Sequence, residues 1–228
     1  MRLGGLTKST ALDFPGLVSA VLFTQGCNFT CPYCHNPQLV RLFGEPLAEE
    51  DTLVFLRHRR RYLGGVVISG GEPTLQPDLA EFCKKLQGLG YAVKLDTNGS
   101  APSLLKDLIE RRLINYLALD LKAAPRAYPP EIAPKDPGEA LLETISILKR
   151  GSLPHEYRVT AAAPFITPQS LESIARAAAG NAPLFLQSCR TTTNLDPDFM
   201  SRHPPPGLED LKQWAIPAAA HLPVHLRA

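Results

Sequence analysis

The feature that most constrains this chain is a regular alternation of short apolar runs with longer amphipathic stretches. The short runs are rich in β-branched and aromatic residues, as buried strands are, whereas the longer stretches repeat apolar residues at helical spacing. Strands that alternate with helices predict a parallel sheet with helices packed against it. The six predicted strands are Leu17–Thr24, Val66–Ser69, Tyr91–Leu95, Tyr116–Leu119, Tyr157–Ala161 and Leu184–Gln187, with helices near 47–63, 78–89, 103–112, 139–150 and 168–179.

Six strand-helix units are fewer than the eight that close a full α/β barrel. We therefore predict an α/β fold, a partial (βα)6 barrel with parallel strands. A doubly wound open sheet is the alternative, because the sequence does not set the order of the strands. After Arg190 the alternation gives way to proline-rich sequence with one short amphipathic piece at 208–215. The predicted domain is 1–189, and 190–228 is predicted to be a tail that packs on it.

Charge and hydropathy narrow the classes of partner. The 228 residues include 24 Lys and Arg against 22 Asp and Glu, a net charge of +2. A balance this close to neutral argues against nucleic acid or an anionic membrane as the main partner. No basic segment followed by an apolar run opens the chain, and no run of about 18 apolar residues occurs, so neither a signal peptide nor a membrane span is expected. We expect a cytoplasmic, reducing compartment.

The five cysteines are an odd number, and a reducing compartment makes a disulfide framework a poor interpretation. Cys27, Cys31 and Cys34 lie within the segment GCNFTCPYCHN, directly after the first predicted strand. Cys83 and Cys189 stand alone in apolar surroundings, and we predict that both are buried as small core residues. The three clustered cysteines are therefore the candidates for chemistry.

Several chemistries could use this segment. Cys31 and Cys34 match the dithiol of glutaredoxin-like proteins, although a third cysteine and a chain about twice the needed length argue against that reading. The letters CPYCH also spell the c-type haem attachment pattern, but that haem is usually installed after export. Three thiolates and His35 could hold a structural zinc ion, but adjacent Cys34 and His35 are awkward ligands for one tetrahedral site.

Closely spaced thiolates on a loop also suit an iron-sulfur cluster. A four-iron cluster held by three cysteines has one iron without a protein ligand, which can bind a substrate or cofactor. The spacing C-x3-C-x2-C, with Tyr33 before the last cysteine, resembles the signature of the radical S-adenosylmethionine (SAM) enzymes. The resemblance implies a [4Fe-4S] cluster on Cys27, Cys31 and Cys34, SAM bound at the open iron, and cleavage of SAM to a 5'-deoxyadenosyl radical.

Further motifs follow in the order that this family implies. GGEP at 70–73 ends the second predicted strand, DTNG at 96–99 the third, and DLK at 120–122 the fourth. Parallel α/β folds assemble their sites at this edge of the sheet. By resemblance, the SAM-binding residues are Tyr33 at the adenine, Gly70, Gly71 and Glu72 at the methionine ammonium, Asp96, Thr97, Asn98, Asp120 and Lys122 at the ribose and carboxylate, and Arg158 at the carboxylate. The resemblance also implies that Asp96 and Asp120 can hold a monovalent cation.

Other polar residues have weaker interpretations. His35 and Asn36 resemble an extension of the cysteine motif in glycyl radical activating enzymes, and we give them local structural roles. Gln187, at the end of the sixth predicted strand, is a further candidate for the site. The basic run 57–61 falls within a predicted helix and is interpreted as a solvated surface, with partner docking as the alternative.

The opening GGLTKSTALDFPG, followed by FTQGCNFTCPYCHNP, is similar to the activating proteins of anaerobic ribonucleoside-triphosphate reductases. The resemblance implies an enzyme that abstracts hydrogen from a glycine of its partner reductase to form a glycyl radical. Its electron donor would be a protein such as flavodoxin or ferredoxin. A radical SAM enzyme acting on a small molecule or peptide is the first alternative, and a glutaredoxin-like dithiol or zinc-binding module is the second.

Overall fold

The computed structural model describes residues 1–189 and 192–227, and in them it contains every predicted strand and helix. The strands are β1 Leu3–Phe14, β2 Leu17–Thr24, β3 Gly65–Gly70, β4 Ala92–Thr97, β5 Tyr116–Leu121, β6 His155–Ala161, β7 Leu184–Ser188 and β8 Val224–Arg227. The helices are α1 Pro37–Val40, α2 Glu49–Arg59, α3 Leu79–Gly88, α4 Pro102–Glu110, α5 Gly138–Arg150, α6 Pro168–Ala177, α7 Phe199–Arg202 and α8 Leu208–Ala218, with a 3-10 turn at Pro73–Leu75.

The order of the strands distinguishes the two predicted topologies. The eight strands form one sheet in chain order, from β1 to β8. β1 is antiparallel to β2, whereas β2–β3, β3–β4, β6–β7 and β7–β8 are parallel pairs. Chain order is what successive strand-helix units produce, whereas a doubly wound sheet places its later strands on the opposite side of the first strand, as in the order 3-2-1-4-5-6. The predicted α/β fold with a largely parallel sheet is therefore confirmed, and the doubly wound alternative is wrong.

Two strands were not predicted. β1 contains two glycines and is exposed over much of its length, with Leu12 at 87% exposure, so its sequence lacks the alternation of a half-buried strand. β8 is only four residues long and follows a proline, which hides it among loop sequence. Both are held by pairing with a predicted strand, β1 with β2 and β8 with β7.

The described chain divides into two compact units. The first unit comprises 1–27, 38–97 and 103–117, and its core is built on the apolar centres of β2, β3 and β4. α2 begins with acidic residues and ends with basic ones, which complements the helix dipole. The phenol of Tyr91, just before β4, donates a 2.8 Å hydrogen bond to the carbonyl of Leu56 in α2.

The basic run 57–61 of the first unit extends past the end of its helix, which the sequence did not predict. α2 ends at Arg59, so Arg60 and Arg61 lie beyond the helix rather than within it. The guanidinium of Arg60 donates to the carbonyls of Leu63, Leu89 and Gly90 and lies over the ring of Tyr91. Arg60 therefore caps the end of α3 as well as facing solvent.

The second unit comprises 28–37, 98–102 and the described residues from Ala118 onward. β6, β7 and β8 form its parallel sheet, and α6 packs beside α8. α8 and β8 lie in the segment 190–228, for which the sequence predicted a tail with one amphipathic piece. The boundary predicted at 189/190 falls on Arg190, which lies outside the described residues, so the division into domain and tail stays a prediction.

The two isolated cysteines are buried, as predicted: Cys83 lies in α3, and Cys189 directly follows β7. Burial raises the pKa of Cys83 to about 12 and that of Cys189 to about 11. In the described part of the chain, no helix has the length and apolar character needed to cross a membrane.

Candidate active site

The end of β3 is joined closely to the segment that leads into Cys27. The amide of Gly71 donates to the carbonyl of Thr24 at 2.9 Å, and the amide of Glu72 donates to the carbonyl of Gly26 at 2.7 Å. A Cβ atom added at Gly71 would lie 2.0 Å from the carbonyl oxygen of Gly26, and Gly70 has a φ of +112°. Glycine is therefore required at 70 and 71 because two backbone segments meet there.

The carboxylate of Glu72 is buried, at 1% exposure, and accepts hydrogen bonds from Thr74 and Thr97 within the first unit. Its Oε1 accepts from the amide of Thr74 at 3.1 Å, from the hydroxyl of Thr74 at 2.6 Å and from the hydroxyl of Thr97 at 2.7 Å. These bonds join the ends of β3 and β4, which brings together Glu72 and Thr97 as the motifs predicted. Thr74 was not predicted, although it directly follows the GGEP motif.

Asp96 forms a buried ion pair that the sequence analysis missed. The ammonium of Lys94 lies 3.0 Å from Oδ1 of Asp96, and both side chains are almost completely buried. Lys94 also donates to the carbonyl of Asp13 at 2.6 Å. A charged residue inside an otherwise apolar strand, two positions before an aspartate on the same face, is the signal that could have found this pair.

In the second unit, Cys31, Tyr33 and Cys34 form a tight turn in which the amide of Cys34 donates to the carbonyl of Cys31 at 2.9 Å. The ring of Tyr33 is buried and lies 6.0 Å from the rings of both Phe165 and Phe199. Tyr33 therefore fills an aromatic cluster, and its contact with adenine stays a prediction. Burial raises the pKa of Cys31 to about 11, although the nearby charge of Lys122 acts to lower it.

The proline-rich loop that follows β5 supports the cysteine turn. Thr30 donates from its amide to the carbonyl of Ile132 at 2.8 Å and from its hydroxyl to the carbonyl of Glu131 at 3.1 Å. The ring of Tyr128 lies 5.8 Å from that of Phe29, and its hydroxyl accepts a 2.8 Å hydrogen bond from the amide of Lys122. The loop therefore links the cysteine turn to the DLK motif.

Asn98 connects the DTNG motif to the start of the cysteine loop. Its side-chain amide donates to Oδ1 of Asn28 at 2.8 Å, and the side-chain amide of Asn28 donates to the hydroxyl of Ser100 at 2.8 Å. Gly99 has a φ of +78°, and a Cβ atom there would lie 2.4 Å from the side chain of Leu119. The motif therefore requires glycine at 99 both for its backbone conformation and for packing.

The two cations predicted to meet the SAM carboxylate lie on either side of Asp120. Nε of Arg158 lies 2.9 Å from Oδ1 of Asp120, and Nζ of Lys122 lies 3.5 Å from Oδ2. Burial acts to lower the pKa of Lys122, but Asp120 and the thiol of Cys31 raise it, and the net shift is upward. Lys122 is therefore a cation at neutral pH and can face an anionic ligand.

The thiols and cations of the second unit suit a cluster with an anionic ligand, because thiolates are the usual ligands of iron-sulfur clusters and Lys122 can offset negative charge. Among residues 1–189 and 192–227, no three His, Cys, Asp or Glu side chains are close enough to share one metal ion. The ligand role of the three cysteines stays a prediction that rests on their motif.

The two weaker candidates from the sequence have local surroundings of their own. His35 is half-buried, and the side-chain amide of Gln187 donates to the hydroxyl of Thr160 at 3.0 Å.

Comparison with known proteins identifies the class to which this fold and these motifs belong. The sequence pattern of the radical SAM superfamily matches residues 21–179, which include the cysteine segment and the three later motifs. In Streptococcus suis, SuiB bound to S-adenosylmethionine has a similar fold, with a TM-score of 0.62, 15% identity, and coverage of 89% of this chain and 48% of that one. The chain belongs to the radical SAM superfamily.

Two relatives indicate which members of the superfamily the chain is related to. A protein of Methanocaldococcus jannaschii named "Putative glycyl-radical enzyme activating enzyme MJ1227" is 32% identical over 179 residues, which cover 76% of this chain and 74% of the relative. The pyruvate formate-lyase-activating enzyme of Clostridium pasteurianum is 33% identical over 130 residues, or 53% of this chain and 52% of that enzyme. The protein is thus a radical SAM enzyme homologous to activators of glycyl radical enzymes.

Proposed function

We propose that this protein is an activase that cleaves SAM reductively and abstracts a glycine hydrogen from an anaerobic ribonucleotide reductase, leaving a glycyl radical on that partner. The observation that carries the proposal is the similarity to a glycyl-radical activating homologue over 76% of the chain. The sequence of the cysteine segment and its flanks supports the narrower choice of reductase. The homology to an enzyme that activates pyruvate formate-lyase supports only the broader choice of a glycyl radical protein as the partner.

In this proposal Cys27, Cys31 and Cys34 hold a [4Fe-4S] cluster. When bound and reduced by a donor such as flavodoxin or ferredoxin, the cluster would supply the electron that cleaves SAM. Glu72 accepts a charge-assisted hydrogen bond from the ammonium of SAM, and its own bonds to Thr74 and Thr97 keep the carboxylate in place. A carboxylate fixed before SAM arrives loses little conformational freedom on binding it.

Arg158 and Lys122 face the carboxylate of SAM in this proposal. Both cations already lie beside Asp120, which keeps them close together despite their like charge. Asp96 and Asp120 were assigned to a monovalent cation by resemblance, but each lies beside a cation of the chain itself, Lys94 and Arg158. We therefore propose that Lys94 and Arg158, rather than a bound monovalent cation, compensate the negative charges of Asp96 and Asp120.

The first experiment tests the cluster and the cleavage of SAM. The protein is reconstituted with iron and sulfide under anaerobic conditions, reduced, and assayed for 5'-deoxyadenosine. Alanine at Cys27, Cys31 or Cys34 should abolish the product, because two thiolates cannot hold the cluster. The matched control Cys83→Ala should retain it, since that thiol is buried in α3. Full activity of Cys27→Ala would favour a dithiol, and a colourless protein that binds zinc would favour a zinc module.

The second experiment tests the SAM site separately from the cluster. Glu72→Ala and Asp120→Ala should still assemble the cluster but bind SAM about 10- to 100-fold more weakly, which corresponds to the loss of one hydrogen bond to a charged group. Anaerobic equilibrium titration measures the affinity, and the iron content reports the cluster. Unchanged affinity in both variants would mean that SAM binds elsewhere.

The third experiment tests the partner. The reconstituted protein is mixed with the anaerobic reductase of the same cell, SAM and a reductant, and the sample is examined by electron paramagnetic resonance. We expect a glycyl radical signal on the reductase and faster cleavage of SAM than without it. A reductase without a glycyl radical signal, together with faster cleavage of SAM in the presence of a nucleotide or a peptide, would contradict the activase function. The protein would then be a radical SAM enzyme that acts on that smaller substrate.

A further inference from the structure

Beyond the residues assigned by resemblance, we propose that Arg227 of β8 is a positioning residue that keeps Arg158 aligned with Asp120, and so ready for the carboxylate of SAM. The proposal rests on the proposed function, since it takes Arg158 to be the SAM-binding cation. Its evidence is a chain of four alternating charges within the second unit: Arg227, Glu156, Arg158 and Asp120.

Three of these side chains, Arg227, Glu156 and Arg158, share one face of the β6–β7–β8 sheet. Glu156 and Arg158 are two positions apart on β6, so they point to the same side. Arg158 is in register with Phe185 of β7, and Gln187 of β7 is in register with Arg227 of β8. The guanidinium carbon of Arg227 lies 3.6 Å from the centre of the Phe185 ring, which fixes the direction of the arginine side chain.

Glu156 lies between the two arginines. Its Oε1 is 4.0 Å from Nε of Arg158, and its Oε2 is 3.7 Å from Nη2 of Arg227. The carboxylate is only 2% exposed, whereas the side chain of Arg227 is 38% exposed. A carboxylate buried to this extent interacts strongly with nearby cations, because little water screens its charge.

The same nitrogen of Arg158 faces two carboxylates. Nε lies 2.9 Å from Asp120 and 4.0 Å from Glu156, so the observed geometry favours Asp120. Arg227 compensates part of the charge of Glu156 from the other side. Without Arg227, Glu156 would attract Arg158 more strongly, draw it away from Asp120 and weaken its contact with SAM.

The effect of Arg227 on SAM binding should therefore depend on the charge of Glu156. In the reconstituted protein, Arg227→Met should weaken SAM binding about tenfold, whereas Arg227→Lys should recover most of the affinity because it restores a cation. In a Glu156→Gln background, the charge that attracts Arg158 is absent, so Arg227→Met should change the affinity less than twofold. Lys212→Met removes an exposed cation of α8 and serves as the control with wild-type affinity.

The decisive experiment is this double-mutant cycle of Arg227→Met and Glu156→Gln, measured by anaerobic titration with SAM. The same cycle is measured by urea unfolding of the cluster-free proteins, which gives the coupling energy between Arg227 and Glu156 in the absence of SAM. A packing role for Arg227 would give equal losses in both backgrounds and would overturn the proposal. A coupling energy between Arg227 and Glu156 in unfolding, without any change in SAM affinity, would also overturn the proposal. A wild-type protein that fails to bind SAM would instead overturn the proposed function itself.

Discussion

The hydroxyl of Thr97, the last residue of β4, donates a 2.7 Å hydrogen bond to Oε1 of Glu72, just beyond β3. Thr97→Val keeps the shape of the side chain but leaves the buried carboxylate one donor short. We expect a loss of about 1.5 to 3 kcal/mol in the free energy of unfolding, measured by urea titration. Thr97→Ser, which retains the donor, is the matched control, and a Thr97→Val variant as stable as the wild type would show that this hydrogen bond does not stabilise the fold.

The buried pair of Lys94 and Asp96 gives a second prediction. Lys94→Met leaves the carboxylate of Asp96 without this cation, and we expect the free energy of unfolding to fall by about 3 to 5 kcal/mol. The double variant Lys94→Met/Asp96→Asn removes both charges and should recover a large part of that loss. Should the double variant be no more stable than Lys94→Met, the loss would come from the hydrogen bond of Lys94 to Asp13, which both variants lack, rather than from the unpaired charge of Asp96.

The backbone contact at Gly71 gives a third prediction. Gly71→Ala places a methyl group 2.0 Å from the carbonyl of Gly26 unless the backbone moves, and we expect a loss of about 3 kcal/mol. Gly88→Ala is the control, because a Cβ atom at Gly88 meets nothing within 4 Å. Alanine favours helix by up to about 1 kcal/mol over glycine, so this variant should unfold at an equal or higher urea concentration.

The raised pKa values of the buried thiols predict their reactivity. Iodoacetamide attacks thiolates, and at pH 8 a thiol with a pKa of about 12, such as Cys83, is ionised in only about one molecule in 10⁴. In the cluster-free folded protein, mass spectrometry should find Cys27 and Cys34, which are partly exposed, alkylated well before Cys83 and Cys189.

The same shifts predict how stability depends on pH. A thiol whose pKa is higher in the folded state than in the unfolded state contributes its full stabilisation below the unfolded value of about 8.5. As the pH rises above that value, the unfolded thiols ionise and the free energy of unfolding should fall. Cys83→Ala should reduce this slope, and a slope unchanged by the substitution would contradict the assigned pKa.

The pairing of Asp96 and Asp120 with side-chain cations predicts that SAM binding does not require potassium or sodium. Affinities measured in potassium chloride and in tetramethylammonium chloride, at equal ionic strength, should agree within about twofold, since ionic strength sets the screening in both. A tenfold weaker affinity in tetramethylammonium would show that a metal cation is needed beside these carboxylates.

The sequence was sufficient for the elements and motifs whose signals are local. β2 to β7 were predictable because each is a buried apolar run, and the GGEP and DTNG motifs stood out because glycine and acidic residues interrupt those runs. Their hydrogen-bond partners were harder to predict, since Thr74 and Thr97 have meaning only once β3 and β4 are adjacent. β8 and its Arg227 were missed because a four-residue strand stabilised by pairing with β7 has no distinct local pattern.

The hydrogen bonds from Thr30 to residues 131 and 132 have a consequence for how the enzyme is maintained. The turn carrying Cys31 and Cys34 is anchored by hydrogen bonds of the polypeptide itself. Ordering a loop costs about 1 to 2 kcal/mol per residue, and here that cost is met when the chain folds. In the proposed function, a cluster bound at this turn would therefore be lost and rebuilt on the same folded molecule, which would make oxygen damage a repairable event rather than the end of the protein's working life.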